Sequence, residues 1–111
     1  VVKALVGLGL SEMEAKVYVY LAKEGPQKAR NIAEALKMVE QQLHLSLKNL
    51  RDRNVVNATA KRPAEFSAIP FDKALDLLMK AHLREARNME RDRDEILSQW
   101  HSMITGGTSA R

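Results

Sequence analysis

The hydrophobic positions of this chain change period twice. From Leu5 to Leu50 they recur every three or four residues, between Val56 and Ile69 they alternate, and from Leu75 to Met103 the three-and-four spacing returns. Leu5 and Leu8 predict a short turn of helix. Ser11 stands three residues before Glu14, the reciprocal box that satisfies free amides at a helix start, and Ala15, Val17, Tyr18 and Leu21 supply the inner face of the helix that follows. Gly25-Pro26 ends it. Residues 27–38 predict a second, shorter helix with Ile32, Ala33 and Leu36 inward. Leu43, Leu47 and Leu50 mark a third, from about Glu40 to Arg53, closed by Asn54, one of the few non-glycine residues that tolerates a left-handed conformation.

The alternating run predicts a two-stranded hairpin. Val56, Ala58 and Ala60 share one side of the outgoing strand, and Phe66, Ala68 and Ile69 lie on the return. Lys61, Arg62 and Pro63 sit at the tip, where a missing amide does least harm, and Pro70 stops the second strand. A lone hairpin is marginal in water and must lean on the helices. From Phe71 to Ile104 there is no breaker, which predicts one helix roughly 50 Å long at ~1.5 Å per residue. Its seam is Leu75, Met79, His82, Ala86, Met89, Arg93, Ile96, Trp100 and Met103, a heptad pattern that a small head cannot cover and a second copy can. His82 and Arg93 interrupt the seam, as polar residues that fix register do, with Glu85, Glu90 or Asp92 of the other chain as expected partners for Arg93.

Three short helices and a hairpin in this order are a winged helix-turn-helix. The expected fold class is therefore mainly α, an α+β winged helix-turn-helix with a long C-terminal dimerisation helix. The expected domains are 1–70 for DNA binding, 71–104 for dimerisation and 105–111 as a flexible tail. In such a fold the third helix enters the major groove and the hairpin tip reaches the backbone of double-stranded DNA. Lys61 and Arg62 then neutralise phosphate, joined by Lys28 and Arg30 at the start of the second helix and by Lys48. Gln41, Gln42 and His44 are the candidates for base contact, since Gln pairs bidentately with adenine. Glu40 is suited to accept from cytosine N4, although beside phosphate it repels. The plain alternative for all of these is a solvated helix face. Arg51 and Arg53 are read as serving the C-terminus of the third helix.

Charge supports the same division. Of the net +4, residues 1–54 hold nine Lys/Arg against six Asp/Glu, while residues 71–111 hold seven of each. The excess lies in the head, as contact with a polyanion requires.

"LGLSEMEAKVYVYLAKEGPQKARNIAEAL", "LKNLRDRNVV" and "RPAEFSAIPFDKALDLL" resemble the TrmB family of archaeal winged-helix transcriptional regulators over about residues 5–80. The resemblance implies a DNA-binding regulator, usually dimeric; the absence of cysteine fits a reducing cytoplasm, the expected location. It departs where the third helix begins: the family commonly has a glycine in the preceding turn and then Pro-Arg-Ser-Lys, whereas this chain has Lys37 and then Val39, Glu40, Gln41 and Gln42. Members often carry a C-terminal sugar-sensing domain; here the long helix is followed by a short tail, so no small-molecule effector is implied.

Other classes find little support. There is no cysteine, no phosphate-cradling glycine loop and no nucleophile grouped with its base, and His44, His82 and His101 are scattered, so neither an enzyme, a metal site nor a cofactor is expected. No apolar run approaches the ~20 residues that span a bilayer, so no membrane partner is expected. Two rival readings remain: a winged-helix protein–protein interaction module, and an architectural protein that coats DNA without sequence preference.

Overall fold

The computed structural model describes residues 1–105 of the 111. Nine elements follow one another: α1 (Val2–Gly7), α2 (Glu12–Glu24), β1 (Gln27–Lys28), α3 (Ala29–Leu36), α4 (Glu40–Asp52), β2 (Val56–Ala58), β3 (Glu65–Ala68), α5 (Phe71–Arg91) and α6 (Arg93–Thr105). The chain divides into two compact units, one from Val1 to Lys80 and one from Ala81 onward.

The first unit is a winged helix-turn-helix. Its core is a single cluster in which Leu5, Val17, Tyr18, Leu21, Ile32, Leu43, Leu47, Leu50 and Val55 are buried. α2 begins with the expected box: the Glu14 amide donates to Ser11 Oγ at 3.1 Å and the Ser11 amide to Glu14 Oε1 at 3.0 Å. Gly25 (φ +83) turns the chain out of α2, a conformation that L side chains rarely adopt.

α1, α3 and α4 end in the same way. Leu10 N reaches Leu5 O (3.2 Å), Met38 N reaches Ala33 O (3.0 Å) and Val55 N reaches Leu50 O (3.1 Å), each a six-to-one bond closing a helix whose last carbonyls lack partners. At these three ends the residues at positive φ are Gly9, Lys37 and Asn54. Asn54 acts as the sequence implies. Lys37 occupies a left-handed position with no local signal for it.

Four sequence expectations need correction. The hairpin is not alone: β1 pairs with β3, which pairs with β2, in an antiparallel sheet of order β1-β3-β2. Gln27 and Lys28 are therefore strand, and the helix expected at 27–38 begins at Ala29. Two residues of alternation are too few to read beside Pro26, and only the return strand of the wing reveals them. Ala60 and Ile69 fall outside the strands, although Ile69 N still donates to Val55 O at 3.0 Å.

The helix expected to run unbroken from 71 to 104 is two helices with Asp92 between them. Asp92 is a weak interior helix former but a good N-terminal neighbour, and Asp94 and Glu95 fill the first turn of α6. The backbone ladder nevertheless passes through it: Asp92 N donates to Asn88 O (3.0 Å) and Ile96 N to Asp92 O (2.9 Å).

The start of α5 belongs to the first unit, which buries Ala74 and Leu78. Tyr18 OH donates to Ile69 O at 2.6 Å and its ring lies 6.4 Å from that of Phe71. In the second unit every side chain from His82 to Thr105 is exposed. The tail expected at 105–111 lies outside the described residues except for Thr105, the last residue of α6. No described helix is long and apolar enough to cross a membrane.

Candidate nucleic-acid interface

α4 buries one row, Leu43, Ser46, Leu47 and Leu50. At about 100° per residue the opposite side carries Gln41, Leu45 and Lys48, flanked by Glu40 and His44. Gln42 is exposed but lies about a quarter-turn away from Gln41, beside Asn49. Asn49 is committed inward: its Nδ2 donates to Glu14 Oε2 at 2.8 Å.

Beside this face lies an open groove of about 770 Å³. Lys28 and Arg30 line one side, Glu40, His44 and Arg51 a second, and the wing from Ala58 to Ala64 a third, with Phe66 beneath. Strand pairing brings these together. Lys28 stands opposite Glu65 in the β1–β3 register, which sets it against the wing. The wing is pinned at its base: Thr59 N donates to Glu65 O and Glu65 N to Thr59 Oγ1, each at 2.9 Å, and Lys61 and Arg62 lie within the loop so closed.

The cations of the groove are uncommitted. Among the described residues Lys28, Arg30, Arg51, Lys61 and Arg62 make no ion pair and no side-chain hydrogen bond. Their charges face solvent together, which raises the local potential far more than a net +4 spread over the surface. Lys48 stands apart. It pairs with Asp52 at 3.7 Å and borders a separate depression beside β2. Among the described residues no group of three His, Asp or Glu side chains is placed to hold a metal ion.

The structure thus gathers Lys28, Arg30, His44, Lys61 and Arg62 in one groove, sets Gln41 on the outward face of α4, and leaves Gln42 and Lys48 to either side. Two residues escaped the sequence reading. Arg51 lines the groove as well as standing in the last turn of α4. Leu45, 60% exposed, occupies the middle of the outward face; the legible signal was an apolar residue off the Leu43–Leu47–Leu50 row.

On α5 and α6 the seam is distributed unevenly. Leu75 is half-buried in the first unit, while Met79, His82, Ala86, Met89, Arg93, Ile96, Trp100 and Met103 are exposed. Arg93 approaches Asp94 of its own helix at 3.5 Å. Leu83, Leu97 and Ile104 are also exposed and widen the apolar stripe.

Residues 5–72 match the family model described as sugar-specific transcriptional regulator TrmB. No curated protein sequence matches the chain. Solved structures with a similar fold include a possible transcriptional regulator from Methanosarcina mazei Go1 (TM-score 0.62, 12% identity, 79% of this chain and 80% of that one). A MarR-family transcriptional regulator from Silicibacter pomeroyi is similar over 94% of this chain and 77% of its own (TM-score 0.56, 15% identity). The Zα domain of Carassius auratus PKZ, solved in complex with Z-DNA, aligns with 52% of this chain and 94% of its own (TM-score 0.51, 24% identity).

Proposed function

Because the chain belongs to the TrmB family of transcriptional regulators, we propose that it is a cytoplasmic, homodimeric, double-stranded DNA-binding regulator with domains at 1–70 and 71–104. One observation carries the reading: the unpaired cations of β1, α3 and the wing surround the exposed face of α4. Lys28, Arg30, Lys61 and Arg62 neutralise phosphates, with Lys48 on the neighbouring backbone, and α4 lies in the major groove. Gln41 and His44 face base edges, Gln42 reaches them from the flank, and Leu45 offers an apolar contact for a thymine methyl. A protein of similar fold, the PKZ Zα domain, is seen with DNA.

The second copy docks through the C-terminal helices, antiparallel. A two-fold axis between Arg87 and Asn88 sets Leu75 opposite Trp100, Met79 opposite Ile96 and Ala86 opposite Met89. It also sets the two polar seam residues, His82 and Arg93, opposite each other. Among antiparallel registers, a heptad shift in either direction sets His82 or Arg93 against an apolar seam residue.

The test is fluorescence-anisotropy binding to the chain's own upstream DNA and to a scrambled duplex, at several salt concentrations. Tight, salt-dependent binding that prefers the native duplex is expected. Equal affinity for both with a steep salt slope makes it an architectural protein instead. Leu45 favours one further reading, a winged helix that binds protein through α4, and absence of binding to either duplex at low salt selects it.

A further inference from the structure

The groove contains one carboxylate that the phosphate-binding reading leaves unused. Glu40 opens α4 and lines the groove together with Lys28, Arg30, Arg51, Lys61 and Arg62. Despite five neighbouring cations it forms no ion pair, and it makes no side-chain hydrogen bond with any described residue. It is exposed, so it does not serve the core. His44 follows it by four residues and lines the same groove, so the two side chains share one edge of α4. Near phosphate a bare carboxylate repels DNA of any sequence; the groove cations offset that repulsion equally for every sequence, and a hydrogen-bond donor from a base edge offsets it only where the matching base stands.

We propose that Glu40 is a specificity-determining residue that accepts a hydrogen bond from the exocyclic amino group of a cytosine in the major groove. A carboxylate accepts and cannot donate. The major-groove donors are cytosine N4 and adenine N6, and adenine places its N7 acceptor beside N6, where it faces a carboxylate unfavourably. Cytosine therefore fits. Against the other three bases the unmatched charge remains beside phosphate and weakens binding, so Glu40 works more by rejecting wrong sequences than by strengthening the right one. This rests on the DNA-binding reading above. The two unpaired glutamines that follow Glu40 contribute no charge to mask its effect.

The experiment compares the full chain with Glu40→Gln and Glu40→Ala by selecting bound sites from a randomised duplex pool, then measuring affinities for the selected and a scrambled duplex. Thermal unfolding of all three proteins is recorded alongside. Wild type is expected to select a C·G pair at one position, by about tenfold or more. Both variants lose that preference and bind the scrambled duplex several-fold more tightly than wild type does. If both variants keep the wild-type sequence profile, or bind every duplex more weakly in step with a lowered melting temperature, Glu40 serves only the helix terminus and the proposal falls. Wild-type binding with an unaltered variant profile overturns the Glu40 assignment alone; failure of wild type to bind any duplex overturns the DNA-binding reading and this assignment with it.

Discussion

Asn49 of α4 donates its side-chain amide to Glu14 of α2 at 2.8 Å, while the other Glu14 oxygen accepts the Ser11 amide at 3.0 Å. One buried carboxylate thus closes the start of α2 and holds α4 against it. Asn49→Ala leaves Glu14 Oε2 without this partner and is expected to cost about 1–3 kcal/mol. Glu14→Ala removes both links and is expected to cost more. Urea denaturation of the two variants, read as a shift in midpoint, checks both.

Tyr18 joins the head core to the entry of α5 through its hydroxyl bond to Ile69 O. Burial, and secondarily the negative charge of Asp72, raise its pKa above the ordinary value of 10.0. The folded state therefore holds this proton more tightly than the unfolded chain does. The stabilisation is complete below pH 10.0 and is lost as pH rises from there through the raised value. Melting temperatures of wild type between pH 9 and 11 are expected to fall more steeply than those of Tyr18→Phe. At neutral pH the variant is expected to be about 1 kcal/mol less stable.

Lys37 ends α3 at φ 54, ψ 49. A non-glycine residue held there costs about 1–2 kcal/mol. Lys37→Gly is expected to recover about 1 kcal/mol, a rise in melting temperature of about 4–8 °C for a unit of this size. An unchanged or lowered melting temperature contradicts this account.

Lys61 and Arg62 are displayed by a loop whose base is the Thr59–Glu65 pair. Replacing both with alanine is expected to weaken binding to native and scrambled duplexes alike and to reduce the salt slope by about 2. Thr59→Val breaks one bond at the base while keeping both charges, and is expected to weaken binding by less. Equal affinity of the double variant and wild type rules out the wing assignment.

The antiparallel register is open to cross-linking because the chain has no cysteine of its own. Met79→Cys and Ile96→Cys, both at exposed positions, are expected to form a disulfide when the two variants are mixed, and to form little when either is oxidised alone. Efficient cross-linking of Met79→Cys to itself makes the pairing parallel.

Much of the head was legible because its signals are local. The Ser11–Glu14 box, the Gly25-Pro26 stop, the Leu43–Leu47–Leu50 row and the Asn54 terminus each depend on residues within about one helical turn. The order of helices and hairpin that follows from them is the fold. What escaped depends on distant parts of the chain. β1 exists only because β3 returns beside it, Asn49 is drawn inward by a residue 35 positions earlier, and Tyr18 meets Ile69 across 51. Arg51 enters the groove only once the wing has folded back over α4. Periodicity and capping express the preferences of a short stretch of backbone, and the sequence alone determined those. Which polar side chains are committed to internal bonds, and which remain unpaired around one groove, was decided by tertiary packing, because a side chain's availability depends on the neighbours that folding brings to it.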